Sequence, residues 1–291
     1  MTLLPEGLPA RPVLLPGLRV LRRDEDHLQV GIDPPRRLVV PDLSEVRALL
    51  EGLRRGTPVR PSSPIGHRTL AALHEAGLLV DAAALDAALA AAADRAATAS
   101  VFAEHGTDAL RRLAARRGAR VAVHAAPDLA TPLTDLLLRS GVEPIEEDAD
   151  LVVVAADTVV PRADLDDLVR EGLPHLVVSG GVVGPFVVPG TTACTRCVDA
   201  HHADADPRRS LLLEQWPDRP APGPEPRDPV RTALTLAWAV REVVGVLDGD
   251  EPATWSATLE VGATGGTSLP RRSTYARHPH CGCAWGDALA G

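Results

Sequence analysis

The chain has 291 residues, 45% of them hydrophobic, and a formal net charge of -9, a length that accommodates two domains and a charge that argues against nucleic acid as the main partner. Its 30 basic residues are all arginine, so no lysine is present to hold an ATP phosphate or to form a Schiff base. No apolar run reaches membrane-spanning length and the first residues lack a basic segment ahead of a long apolar core, which excludes a membrane partner and makes the cytoplasm the expected compartment.

Residues 1–17 carry prolines at 5, 9, 12 and 16 and read as an extended arm. From Leu18 to Ile32 apolar and polar residues alternate around the acidic turn Asp24-Glu25-Asp26, the pattern of a hairpin, and Arg37 to Pro41 reads as a third strand. Asp42 or Ser44 is placed to cap a helix bearing Leu43, Val46, Leu49, Leu50 and Leu53. After Pro58, Pro61 and Pro64, a second helix from about His67 to Ala76 carries Leu70 and Leu73, ends at Gly77 and returns as the strand Leu78 to Val80. Strands, two helices and a closing strand predict a winged helix-turn-helix over residues 18–80. Apart from Arg68, the second helix offers few side chains that read bases, so DNA binding fits poorly. An extended peptide lying on the edge of the third strand and against the helix fits better. Leu38, Val39 and Val40 would supply that edge and Leu70, Leu73 and His74 the helix side. A purely structural docking domain is the plain alternative.

The alanine-rich stretch 81–117 predicts a helical linker. Beyond it, residues 118–291 alternate strands (Arg120 to His124, Leu151 to Ala156, His175 to Val178) with helices (Asp128 to Arg139, Asp164 to Glu171). Continuous apolar strands between helices imply a parallel sheet covered by helices, with ligands beyond the carboxyl ends of the strands. Asp157 stands at such an end, either as a functional carboxylate or as a cap or turn residue before Pro161.

Two valine-rich runs on either side of Gly180-Gly181 read as buried strands and lead into Cys194-x-x-Cys197, while the remaining cysteines form Cys281-x-Cys283 within a segment that also holds His278 and His280. Two close pairs suit a tetrahedral, four-thiolate zinc ion acting as a structural staple. Two disulfides or unrelated buried thiols are the alternatives, although a bridge within Cys-x-Cys would be strained. His201 and His202, near Asp199, Asp204 and Asp206, are expected in an exposed crossover loop. Residues 217–229, with six prolines, are expected as a mobile linker.

Asp150 to Asp157 with Arg162, the strand before Gly180-Gly181, Pro189-Gly190, the two cysteine pairs and the long apolar helix Pro229 to Leu247 together resemble the E1-like adenylating superfamily of ThiF and MoeB. The stretch Pro189 to Pro207 is similar, more narrowly, to E1-like proteins of the Ocin-ThiF type that accompany cyclodehydratases in the making of ribosomal, azoline-containing peptides. That resemblance implies an α/β protein: a winged helix-turn-helix like a RiPP recognition element, then a truncated Rossmann-type domain with a zinc site. It also implies a homodimer, a precursor leader peptide and a partner YcaO-type enzyme. Asp157 and Arg162 match the superfamily's metal-binding aspartate and following arginine. The departures concern the nucleotide. Where the superfamily has a glycine-rich turn after its first strand, this chain has His124-Ala125-Ala126-Pro127-Asp128, without glycine and with a proline that removes a donor. The expectation is a binding protein that does not adenylate and takes no ATP or magnesium. A divergent adenylyltransferase using Asp157 and Arg162, and a DNA-binding regulator, are the alternatives.

Overall fold

The computed structural model describes residues 7–216, 222–223, 226–262 and 269–284. Among them the chain divides into two compact units, at Ala114 and Ala115.

In the first unit, β2 (Val20–Arg22), β3 (His27–Val30) and β4 (Leu38–Pro41) form an antiparallel sheet with β3 central. The first turn is the acidic one: Asp24 Oδ1 accepts from Asp26 N–H at 3.0 Å and contacts His27 Nδ1 at 2.8 Å. Side chains alternate across the pleat, so Leu28, Val30 and Val40 are buried while Leu21 and Val39 are exposed. Helix α1 (Ser44–Arg55) buries Val46, Leu49, Leu50 and Leu53, and Gly56 ends it in the left-handed conformation at φ 67°. Neither Asp42 nor Ser44 caps it. Leu43 holds the cap position, and the Asp42 carboxylate instead takes Arg47 Nη2 at 2.7 Å. Helix α2 (Pro64–Glu75) begins three residues earlier than expected because Pro64 suits the first turn, where its missing N–H costs nothing, and the Ser63 hydroxyl accepts from Gly66 N–H.

Residues 12–15 do not form an arm. β1 (Pro12–Leu14) pairs antiparallel with β5 (Leu79–Asp81), so the closing strand joins β1 and not the three-stranded sheet. Both faces of this ribbon are covered. Leu14 and Leu79 enter the core of α1 and α2, while Val13, Leu15 and Val80 pack on the opposite side with α3 (Ala82–Ala90), α4 (Arg95–His105) and, from α5 (Ala109–Gly118), Ala109 and Leu113. The stretch 81–117 is therefore part of a core and not a linker. The alanine run is also two helices, because Asp94 accepts from Ala97 N–H and starts the second.

In the second unit, a six-stranded sheet runs in the order β11-β10-β9-β8-β7-β6. β6 (Val121–Ala125), β7 (Leu151–Ala156) and β8 (His175–Ser179) are parallel, but β9 (Val182–Val187), β10 (Ala257–Glu260) and β11 (Arg271–Thr274) are antiparallel. The expected parallel sheet is thus mixed, because the turn at Gly180 (φ 57°) and Gly181 (φ 85°) sends the chain straight back. Period-two burial sorts the strands between two layers. Leu151, Val153, Ala155, Leu176 and Val178 pack under α6 (Pro127–Arg139) and α10 (Pro229–Leu247). Val152, Val154 and Val177 face α7 (Arg162–Arg170) through Leu165 and Leu168. Each such fully buried aliphatic side chain contributes about 1.5–3 kcal/mol. Arg116 clasps Asp248 with two bonds of 2.8 and 2.6 Å in a buried pair. Of the expected proline-rich linker, residues 217–221 and 224–225 lie outside the described residues, and Pro229 opens α10.

Candidate functional site

The four cysteines converge. Cys194 caps α8 (Thr195–Ala205) and Cys197 lies in its first turn, so a spacing of three directs both sulfurs to one side. Cys281 and Cys283 arrive from a short turn near the end of the described chain. The Sγ atoms lie 3.7 Å apart for Cys194 and Cys197, 3.5 Å for Cys194 and Cys281, and 3.3 Å for Cys197 and Cys283. All four thiols are free, so the two-disulfide alternative is not formed. Zinc–sulfur bonds of about 2.3 Å in a tetrahedron give edges of about 3.8 Å, close to these separations. The Cys197 sulfur accepts from the Cys194 thiol and lies near the His278 backbone N–H, which holds it down at about 4, whereas donation to Cys197 and burial push Cys194 up and burial pushes Cys283 up to about 12. One thiolate among thiols is a donor set that a divalent cation completes by displacing the remaining protons.

The histidines beside this cluster hold the chain in place. His201 and His202 are not in a loop but on α8. His201 Nε2 donates to Ala276 O at 2.9 Å, and His202 Nε2 meets Tyr275 Oη at 3.2 Å. His278 is buried and uses both ring nitrogens, Nδ1 accepting from His280 N–H and Nε2 facing Asp204 Oδ2, each at 3.2 Å. These contacts fasten the segment carrying Cys281 and Cys283 to the helix carrying Cys197.

A second candidate lies at the carboxyl ends of the parallel strands. Leu129, Ala156, Asp157, Val178, Gly180 and Gly181, with Pro226, Arg227, Asp228, Arg231, Thr232, Thr235 and Leu236 of α10 and its approach, line a cavity of about 30 Å³, room for about two waters. Asp157 lines it but is not free. Nη2 of Arg227 binds both the Asp157 carboxylate and Asp128 Oδ2, the latter at 2.5 Å. Asp128 in turn accepts from its own and Leu129 N–H at the start of α6, and Arg227 first of all holds its carboxyl below the ordinary carboxylate range. The turn where a phosphate cradle would sit is thus filled by a carboxylate. Arg162 does not join Asp157. Its guanidinium binds Asp199 of α8 at 2.5 and 3.0 Å and the Val160 carbonyl at 2.8 Å. The two residues paired in sequence reasoning therefore separate, one to the cleft and one to the helix that starts at Cys194 and Cys197. Arg227 had no sequence signal, being 70 positions from Asp157.

The expected peptide surface changes as well. Val40, Leu70 and Leu73 are at most 4% exposed and belong to the core of the first unit, because the buried face of β4 and α2 needs them there. Leu38 and His74 are half-buried, and Gly7 lies against His74. Only Val39 stands out, in register with Gln29 and, one strand further, Leu21. Leu21, Ile32 and Leu43 are the exposed apolar residues near it that sequence reasoning missed.

No family model and no curated protein matches the chain. Solved structures do. A heterocyclase in complex with substrate and cofactor superposes with a TM-score of 0.69 at 15% identity, covering 94% of this chain and 39% of its own. The heterocyclase TruD gives 0.67 at 17% identity, with 95% and 43% covered. MccB of E. coli, with ATP, gives 0.62 at 14% identity and is covered over 99% of its length. The chain has the fold of these enzymes. It is the ThiF- and MoeB-like fold that the motifs resemble, and this chain spans about two fifths of the two heterocyclases.

Proposed function

We propose that this protein is an adenylation-deficient, E1-like component of ribosomal peptide biosynthesis that binds a precursor's leader peptide and presents the core to a YcaO-type cyclodehydratase. The observation that carries this reading is Arg227, which bridges Asp128 and Asp157 at the edge of a cavity that has room for about two waters. A nucleotide would have to displace that clasp and would find no glycine-rich turn behind it. The heterocyclases of the same fold are more than twice this chain's length, and this chain matches about two fifths of each. Tethering the leader turns each modification of the core into a near-intramolecular encounter.

In this reading the first unit is a winged-helix-like peptide receptor, with the open edge of β4 and Val39 as its contact. The four cysteines hold a structural zinc ion, the protein works as a homodimer, and the cytoplasm is its compartment. MccB solved with ATP and covered over 99% of its length favours a second reading, a divergent adenylyltransferase in which Asp157 holds magnesium. Calorimetry of the zinc-loaded protein with ATP and magnesium separates the two: no heat is expected, and micromolar binding would put the adenylyltransferase first. For the peptide, anisotropy of a labelled synthetic leader should show binding that Val39→Glu weakens about tenfold; an unaffected variant removes the β4 edge from the proposal.

A further inference from the structure

Beside the four cysteines lies a second group of metal-ligating side chains that neither the sulfurs nor the cleft uses. His201 and Asp204 are three residues apart on α8, a spacing that puts both on one face of the helix, and His278 comes across to them from the segment that leads to Cys281. One ligand atom from each of the three lies within 4.8 Å of the others. The two histidine rings stand edge to face with centroids 4.8 Å apart, and Nε2 of His278 is 3.2 Å from Asp204 Oδ2. His201 donates Nε2–H to the Ala276 carbonyl at 2.9 Å, which leaves its Nδ1 lone pair without a hydrogen-bond partner among the described residues. A ring nitrogen fixed on a backbone carbonyl is the usual support of a metal-ligating imidazole, because it sets the tautomer and the ring plane. Asp204 also differs from the carboxylates near it. Asp199 is taken by Arg162 and Asp166 by Arg196, whereas Asp204 meets only His278 among the described residues.

We propose that His201, Asp204 and His278 form a second, exchangeable site for a divalent transition cation of the zinc and cobalt class. Bonds of about 2.1 Å to nitrogen and oxygen put tetrahedral ligands about 3.4 Å apart, close to the 3.2 Å between His278 and Asp204. The exposed Asp204 and half-buried His201 close the rest of the set by side-chain rotation. The cation takes the place of the proton on His278 Nε2, and that proton moves to Nδ1 at the expense of the 3.2 Å bond from His280 N–H. Imidazole donors select this class over magnesium and calcium, which prefer oxygen ligands. Three protein ligands leave a position open to water, so the ion exchanges more readily than one in a closed four-sulfur shell. The site joins α8 to the segment carrying Cys281 and Cys283, the same two elements that the cysteines join. It depends on neither leader binding nor nucleotide binding.

The test is a titration of the full chain, first loaded with one equivalent of zinc, with cobalt(II), followed by calorimetry and absorption. One further equivalent of cobalt should bind with micromolar affinity, without the intense thiolate-to-cobalt absorption and with the zinc still present by elemental analysis. His201→Gln and Asp204→Asn should each weaken that binding more than about tenfold, while zinc content and melting temperature stay as in the parent. His27→Gln, at the exposed His27–Asp24 pair of the first unit, should change nothing. The inference falls if no second equivalent binds, if cobalt enters with the thiolate absorption and expels zinc, if magnesium competes at equal concentration, or if either α8 variant binds as the parent does. A chain that takes no zinc at its cysteines and still binds cobalt through His201 and Asp204 would remove the four-sulfur zinc from the proposed function and leave this site standing.

Discussion

The cysteine cluster and the cleft pose the same physical problem and solve it differently. In each, side chains that favour negative charge converge at one end of an element of the second unit. In the cluster, four sulfurs lie within 4.8 Å of one another with one thiolate already favoured, and the neighbouring Arg277 donates Nη2 to the Cys283 carbonyl at 2.7 Å. In the cleft, the carboxylates of Asp128 and Asp157 meet on a single nitrogen of Arg227. Carboxylates that meet on an internal cation have less need of one from outside, whereas close-packed thiols lose their protons to a divalent cation. The comparison sets a four-sulfur donor set that suits a metal against a carboxylate pair that carries its own cation.

Breaking the first half of the comparison has the largest effect. Cys281→Ser or Cys197→Ser removes one of four ligands from a closed site, and the metal's contribution to stability, on the order of 10 kcal/mol at neutral pH in small zinc domains, is largely lost. The expected outcome is one zinc per chain in the parent by elemental analysis, and in the variant a metal-free protein that melts well below it. Chelator treatment of the parent should reproduce that melting curve. A variant that keeps its metal and its melting temperature would mean that the four sulfurs are only core residues.

Exchanging the roles of Asp157 and Arg162 sharpens it. The pair Arg162–Asp199 is mostly buried, at 18% and 12% side-chain exposure, so Arg162→Ala strands a carboxylate on α8 and should cost about 3 kcal/mol in denaturant unfolding. Asp157→Ala leaves Arg227 its contact with Asp128 and should cost under about 1 kcal/mol. Equal costs for the two would show that the cleft and α8 are one network.

Much of this was legible in the sequence, for identifiable reasons. The run Leu151 to Ala156 is continuously apolar because both of its faces are covered, and α10 was bounded correctly from Pro229 to Leu247 because a proline opens it and no breaker interrupts it. The cysteines announced themselves by spacing. What escaped was set by distant partners. Val13 and Leu14 read as an arm because prolines surround them, yet β5 lies some 67 positions on in their register. β10 and β11, two of the three antiparallel strands of the sheet, are four residues each, too short for an apolar period to stand out. Val40, Leu70 and Leu73 read as a peptide surface on the same apolarity that puts them in a core. Hydrophobic pattern reports burial; it does not say whether chain or ligand does the burying.

A pH profile separates the sheet's own ionisation from either site. His175 is fully buried at the start of β8, Nδ1 donating to Leu173 O at 2.9 Å while Nε2 has no partner among the described residues. Burial pulls its pKa below 6.5. The unfolded chain therefore binds the proton first as pH falls, and the stability held by the neutral ring is complete above 6.5 and lost as pH drops toward the lower folded value. The slope should approach about 1.4 kcal/mol per pH unit below 6.5, and His175→Leu should flatten it in urea unfolding.

The smallest effect belongs to Arg227 and decides most directly whether the cleft supplies its own cation. Hydrogen bonding from Arg227 is the main cause holding the Asp128 carboxyl below 3.8. A depressed carboxyl stabilises the fold above its unfolded pKa, and that contribution disappears as pH falls below 3.8. Arg227→Gln should bring the Asp128 carboxyl back toward 3.8 in a carbon-detected titration and hardly change stability at neutral pH, because both partners are well hydrated. With the clasp gone, Asp128 and Asp157 repel, and manganese should broaden their signals in the variant and not in the parent. If manganese broadens both equally, Arg227 is a passing surface contact, and the contrast between the cysteine donor set and the self-balanced cleft does not hold.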